Sequence, residues 1–360
     1  MIDESYPFPR GSVYAKVIRN LTKAKAKVIV FDIMFDAPDH TTKIIENYLG
    51  DHCLNCSYIN EDEEFVGAIN FAKENGTDII LASKIAVDIN RIPQDYLIKP
   101  NNKIMSAKPD IGLVNQGIDN IDYNNRRYSI FSKISSEPEN FYFSLALETV
   151  LKYKNISDYK IIQDPLRNIL SVGDINIKTY NKESSFIVNY YGPTSSIFNT
   201  FNTFSLSNVI DNSAYNLTNF EYDDDWIDKY INPNHLLYSH FGIDKSPFRD
   251  KIVIIGSSLD EDNDFINSPY NEFRGIQKNM PGVELHANAI QQILDSNYID
   301  VSKIYLNITK DNFVYPLLLI ILLIIISLII SNQSTLLINT LLVISSMFIW
   351  SSFSIGSFLN

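Results

Sequence analysis

Short, unbroken runs of β-branched and apolar residues recur along most of the chain, each giving way to a small or acidic residue. They are residues 28–33 (VIVFDI), 78–83 (DIILAS), 111–115 (IGLVN), 185–191 (SFIVNYY) and 251–257 (KIVIIGS). Runs this short and this continuously apolar predict strands buried on both faces of a largely parallel sheet. Between them the apolar positions fall at helical spacing. Residues 12–25 put Val13, Val17, Leu21 and Ala24 on one stripe, with Ser12 as the expected N-cap. Residues 61–75 open on acids and stop at Asn75-Gly76, and residues 141–154 and 282–297 continue the series. Strands alternating with helices predict an α/β fold, a mostly parallel sheet flanked by helices. Residues 37–62 are a polar excursion, and residues 212–250 are a longer one that reads as an insertion or a long loop, not as a second core.

Beyond Asp311 the pattern changes, because no charged residue or histidine follows it. Residues 313–330 are eighteen uncharged positions, enough to cross a ~30 Å hydrocarbon core at about 1.5 Å per residue. A polar break at 331–335 and a second uncharged stretch at 336–359 complete an expected transmembrane helical hairpin. Two buried core helices are the weaker reading, since soluble cores rarely lack charge for so long. The division is therefore a globular head over 1–310 and spans at 313–330 and 336–359. With no Lys or Arg in or after the hairpin, charge bias does not orient it. The abrupt opening on Met1-Ile2-Asp3 and the apolar close at Asn360 lead us to expect a longer gene product at both ends.

Composition narrows the function. Forty-two acidic against 30 basic residues give a net charge of −12, which excludes a general nucleic-acid footprint. Five His and two Cys leave few members for nucleophile–His or metal-cluster schemes. The motifs G-x-x-x-x-G-K, G-x-G-x-x-G, G-x-S-x-G and H-E-x-x-H do not occur. No catalytic residue, metal site or cofactor is expected within the chain.

Four blocks stand out. Asp3-Glu4-Ser5-Tyr6-Pro7-Phe8-Pro9-Arg10 leads into the first helix, and Phe31-Asp32-Ile33-Met34-Phe35-Asp36 ends a strand. Ile252-Val253-Ile254-Ile255-Gly256-Ser257-Ser258 is followed by Asp264, and Met280-Pro281-Gly282-Val283-Glu284-Leu285-His286-Ala287-Asn288 opens a helix. In this order, with Ile111 to Asn115 between them, they resemble the second type of CHASE domain, the cyclase/histidine-kinase-associated extracellular sensory domain. The resemblance spans nearly the whole head. It departs at Asp122 to Arg127, where Asn124-Asn125 stands in place of the family's Asp-Gly turn.

The resemblance implies an extracytoplasmic, ligand-binding module of a bacterial receptor in the inner or plasma membrane. It would relay a stimulus through membrane spans to a cytoplasmic adenylate or guanylate cyclase, or a kinase. A homodimeric parent and an unidentified small-molecule or ionic ligand are the expected partners, beside the membrane. The competing reading is an envelope enzyme or metal-dependent hydrolase anchored by the hairpin and using clustered carboxylates. An external head makes a disulfide between Cys53 and Cys56 the leading reading of their C-x-x-C spacing, ahead of free thiols or a metal site.

The candidate ligand residues are Asp3, Ser5, Arg10, Asp32, Asp36, Ser257, Asp264 and His286. Asp3, Asp32, Asp36 and Asp264 would gather at the carboxyl edge of the sheet and favour a cation or amine. Alternatively, Asp3 and Asp32 cap turns or pair with Arg10. Gly256-Ser257-Ser258 could offer backbone N–H groups to an anion, or could simply turn the chain. His286 is flanked by a packing stripe of Val283, Ala287, Ile290 and Leu294, which suits a structural histidine as well as a ligand or pH switch.

Overall fold

The computed structural model describes residues 8–49, 60–117, 124–180, 184–215 and 224–299. The chain divides into two units, Met1–Ile299 and Asp300–Asn360, and every described residue belongs to the first. Both expected membrane spans, Asp3, Ser5, Cys53 and Cys56 lie outside the described residues. Among the described residues, no helix is long and apolar enough to cross a membrane.

The centre of the head is a five-stranded sheet: β1 (Val28–Phe31), β2 (Asp78–Val87), β3 (Asp95–Ile98), β4 (Asp110–Leu113) and β5 (Ile252–Ile255). Four strands run parallel in the order β5-β1-β2-β4, with Phe31 level with Ile255 on one side and Leu81 on the other. The sheet is mixed, not purely parallel. β2 continues past its parallel partners to Val87, and a turn closed by Asp88 N–H to Gln94 C=O returns the chain as antiparallel β3. The run at 185–191 does not join this sheet. Only Ser185–Ile187 is a strand, paired antiparallel with Arg127–Ser129. The N–H groups of Asn189 and Tyr191 bond instead to the side chains of Gln292 and Asn288.

Helices cover both faces: α1 (Lys16–Lys23, entered through a π-helical turn at Arg10–Ala15), α2 (Glu61–Glu74), α3 (Leu145–Tyr153) and α4 (Gly282–Asp295). Strand pleating sorts the side chains. Ile29, Phe31, Ile79 and Leu81 face Val17, Leu21, Phe65 and Ile69 of α1 and α2. Val28, Val30 and Ile80 pack with Leu145 at the start of α3. Further from the sheet, Leu147 and Val150 of α3 meet Leu285, Ala289 and Ile293 of α4. Each fully buried Ile, Leu or Phe stabilises this three-layer core by about 1.5–3 kcal/mol.

Helix boundaries carry three corrections. Ser12 is inside the first helical turn, not its N-cap: its N–H and Oγ donate to the Glu61 carboxylate at 2.7 and 2.8 Å. Gly11 permits that approach, since a Cβ there would stand 2.6 Å from the Glu64 Cβ. Residues 141–143 extend a strand, and α3 begins after Ser144, whose Oγ caps Leu147 N–H. On α4 the expected stripe is buried only at Ile290, with Leu294 packed beside it. Val283, Ala287 and Leu294 are half-buried, whereas Glu284, His286, Asn288 and Gln292 are buried. They are buried because the helix is enclosed nearly all round, and their polar groups find partners there.

Candidate functional site

In an open α/β sheet the crevice at the carboxyl ends lies where strand order reverses. Here β1 sends the chain towards β2 on one side and meets β5 on the other, so the reversal falls between β1 and β5. Asp32 follows β1 at this point, held by its N–H to Ile255 C=O at 2.8 Å. Its side chain is only 10% exposed, and Oδ1 lies 3.6 Å from Nε2 of His286, itself 5% exposed.

Behind His286 stands Tyr128, fully buried, with its hydroxyl 2.6 Å from Nδ1. The hydroxyl also accepts the Ala146 N–H at 3.2 Å, in the first turn of α3. Burial first, and then the Asp32 charge, push the Tyr128 phenol well above its ordinary range, so it stays protonated. The tautomer with its proton on Nε2 would turn that N–H to Asp32 and let Nδ1 accept the Tyr128 hydroxyl. A chain of polar contacts runs from Asp32 through His286 and Tyr128 to the start of α3.

Asp264 closes the other side. Its backbone C=O accepts the Gly282 N–H at 2.8 Å, and its carboxylate leans over the N-terminus of α4, where a Cβ on Gly282 would be 2.5 Å from Oδ1. Although the residue as a whole is exposed, burial of the carboxyl raises its pKa; Asp32 raises it further, and His286 acts in the opposite direction. Asp32, Asp264 and His286 are thus brought together electrostatically.

Other candidates lie apart or have other partners. Arg10 does not pair with Asp32: its guanidinium is 2.6 Å from Asp62, its N–H donates to Asp39, and it stacks over Phe35. Asp36 is exposed on the loop after β1. The Ser257 Oγ accepts Leu259 N–H in a local turn. Gly256 is needed for contact, since a Cβ there would be 2.6 Å from the Val283 Cβ. Two neighbouring carboxylates make this edge unsuited to an anion. Among the described residues, no group of three or more His, Cys, Asp or Glu could hold a metal ion.

The model of the CHASE2 domain family matches residues 2–329. The chain belongs to the CHASE2 family. No curated protein and no solved structure compared with the chain matches it. CHASE2 domains are extracellular, non-catalytic sensory modules of signal-transduction receptors, which runs against the envelope-enzyme reading.

Within this CHASE2 domain, the block opening α4 resolves into separate tasks. Gly282 makes room for Asp264, and His286 faces Asp32. The Glu284 carboxylate accepts Thr194 Oγ1 and both the N–H and Oγ of Ser195. Asn288 and Gln292, one and two turns further on, bond the backbone at Tyr191, Asn189 and Ile187. Sequence reasoning missed Tyr128 altogether. It sits in a three-residue strand, 158 positions from His286, and no spacing rule connects the two.

Proposed function

We propose that this CHASE2 domain is the membrane-anchored, extracytoplasmic sensor of a homodimeric bacterial receptor, and that it takes its ligand at the carboxyl edge between β1 and β5. The observation that carries the reading is Asp32, a buried carboxylate at the strand-order reversal, flanked by Asp264 and His286. A ligand can shift such a module only by binding one conformation better than the other. The edge suits that task, because α3 and α4 both contact it through Tyr128 and His286. In the sequence, α4 is also the last described helix before the apolar stretches that begin at residue 313. The effector on the far side of the membrane is an adenylate or guanylate cyclase, or a kinase.

Location is tested by placing one cysteine at exposed Asp174 in a Cys53→Ser/Cys56→Ser background. In intact cells a membrane-impermeant maleimide should label Asp174→Cys; protection until the cells are lysed would sink the extracytoplasmic assignment. The effector is tested by reading the gene downstream of codon 360, where a cyclase or kinase frame is expected.

A further inference from the structure

Buried carboxylates are almost always hydrogen-bonded or ion-paired, because an unpaired charge away from water is costly. Among the described residues, Asp32 satisfies that rule only through a long ion pair. Its side chain is nine-tenths buried, and its one ion-pair contact among the described residues is His286 Nε2 at 3.6 Å, beyond hydrogen-bond reach. Arg10, the nearby cation in sequence, is committed to Asp62. Asp264 adds a second negative group to the same edge.

We propose that Asp32 anchors a small protonated amine, whose N–H groups bridge it to Asp264, and that occupation is passed to α3 through the His286–Tyr128 contact. The inference rests on the sensory reading above and names the ligand class for that site. Three features select the class. Two carboxylates reject anions. With the Tyr128 hydroxyl donating to Nδ1, His286 turns an N–H towards Asp32 and offers no lone pair there to a metal. An ammonium group supplies several donors to carboxylates that lack them, in charge-assisted bonds. Drawing the Asp32 carboxylate towards the amine changes its attraction for the His286 N–H. Tyr128 transmits that change to the Ala146 N–H at the start of α3.

The test uses the full chain in detergent micelles, with melting curves and titration calorimetry. Putrescine, spermidine and methylamine are compared at matched ionic strength with Na⁺, K⁺, Mg²⁺ and Ca²⁺. Amines should raise the melting temperature in a concentration-dependent way, and the metal ions should not. Asp32→Asn should remove the amine response while leaving the ligand-free protein as stable or more so. Asp264→Asn, at the exposed side of the site, should weaken amine binding about tenfold. Tyr128→Phe should keep binding but lose the amine-dependent protection of the Ala146–Leu147 amides in hydrogen exchange. Stabilisation by Mg²⁺ or Ca²⁺ through Asp32 would overturn the amine and leave the ligand crevice standing. No response to any cation, with Asp32→Asn less stable in every condition, would overturn both and make Asp32 scaffold.

Discussion

The two edges of the central sheet carry similar residues to opposite ends. At the amino edge, Asp78 opens β2 and Asp110 opens β4, with Glu148 and Lys152 of α3 facing them. Lys152 Nζ lies 2.8 Å from Asp110, and Lys27 and Lys73 add positive charge around Asp78. At the carboxyl edge, Asp32 and Asp264 lie together with His286, and among the described residues no Lys or Arg pairs with either carboxylate. Carboxylates with cations built in are scaffold, whereas carboxylates without them leave a charge for a ligand to neutralise. What separates the edges is the supply of compensating charge, not the number of acids.

The sharpest way to break the comparison is Arg10, a cation near the carboxyl edge that we assign to scaffold. Its side chain is 10% exposed and that of Asp62 is 5% exposed. Arg10→Met strands Asp62 without its partner and should cost about 3–5 kcal/mol, read as a lower denaturant midpoint. The amine response should survive in whatever fraction folds; its selective loss, with stability unchanged, would move Arg10 into the site.

A smaller effect of opposite sign is expected at the amino edge. Burial first, then repulsion from Asp110, push the Glu148 carboxyl up to about 7, against the pull of Lys152. Its folded pKa exceeds the ordinary value of 4.5, so the folded state holds the proton more tightly and stability falls as pH rises from there towards about 7. Glu148→Gln should therefore stabilise the protein by about 2–3 kcal/mol above neutral pH and by nothing below about pH 4. Melting curves across that range check it, and a pH-independent difference would contradict it.

The smallest effect sharpens the carboxyl edge. Asp264 also has a raised pKa, from burial and then Asp32, but it is partly solvent-screened. Asp264→Asn should raise the ligand-free stability by less than about 1 kcal/mol at neutral pH, and the gain should fade in acid, where the native carboxyl is protonated. A loss of stability at neutral pH would mean that the carboxylate serves the N-terminus of α4 more than a ligand.

Much of the head was legible in local pattern. The runs at 28–33, 78–83, 111–115 and 251–257 each overlap a strand of the central sheet, because strands covered by helices on both faces must be largely apolar. The stop at Asn75-Gly76 is where α2 ends, with Gly76 at φ +77°. Where reading from sequence failed, a local signal was answered by a distant partner. The apolar run at 185–191 looked like one more parallel strand, but side chains of α4 supply its hydrogen bonds. Ser12 looked like a cap, but Glu61 takes both its donors.

The candidate site divides along the same line. Sequence by itself determined that Asp32 ends a buried strand, that His286 lies in the first half of a helix, and that no basic residue accompanies them in their motifs. These properties follow from composition and period, which act over a few residues. Only the tertiary structure decided that Tyr128 stands behind His286, that Arg10 turns to Asp62, and that among the described residues the Asp32 carboxylate meets only the distant His286 Nε2 as an ion-pair partner. Such choices depend on which polar groups are desolvated together when the layers close. That is fixed by topology and burial across 158 residues of chain from Tyr128 to His286, not by the order of residues around either one.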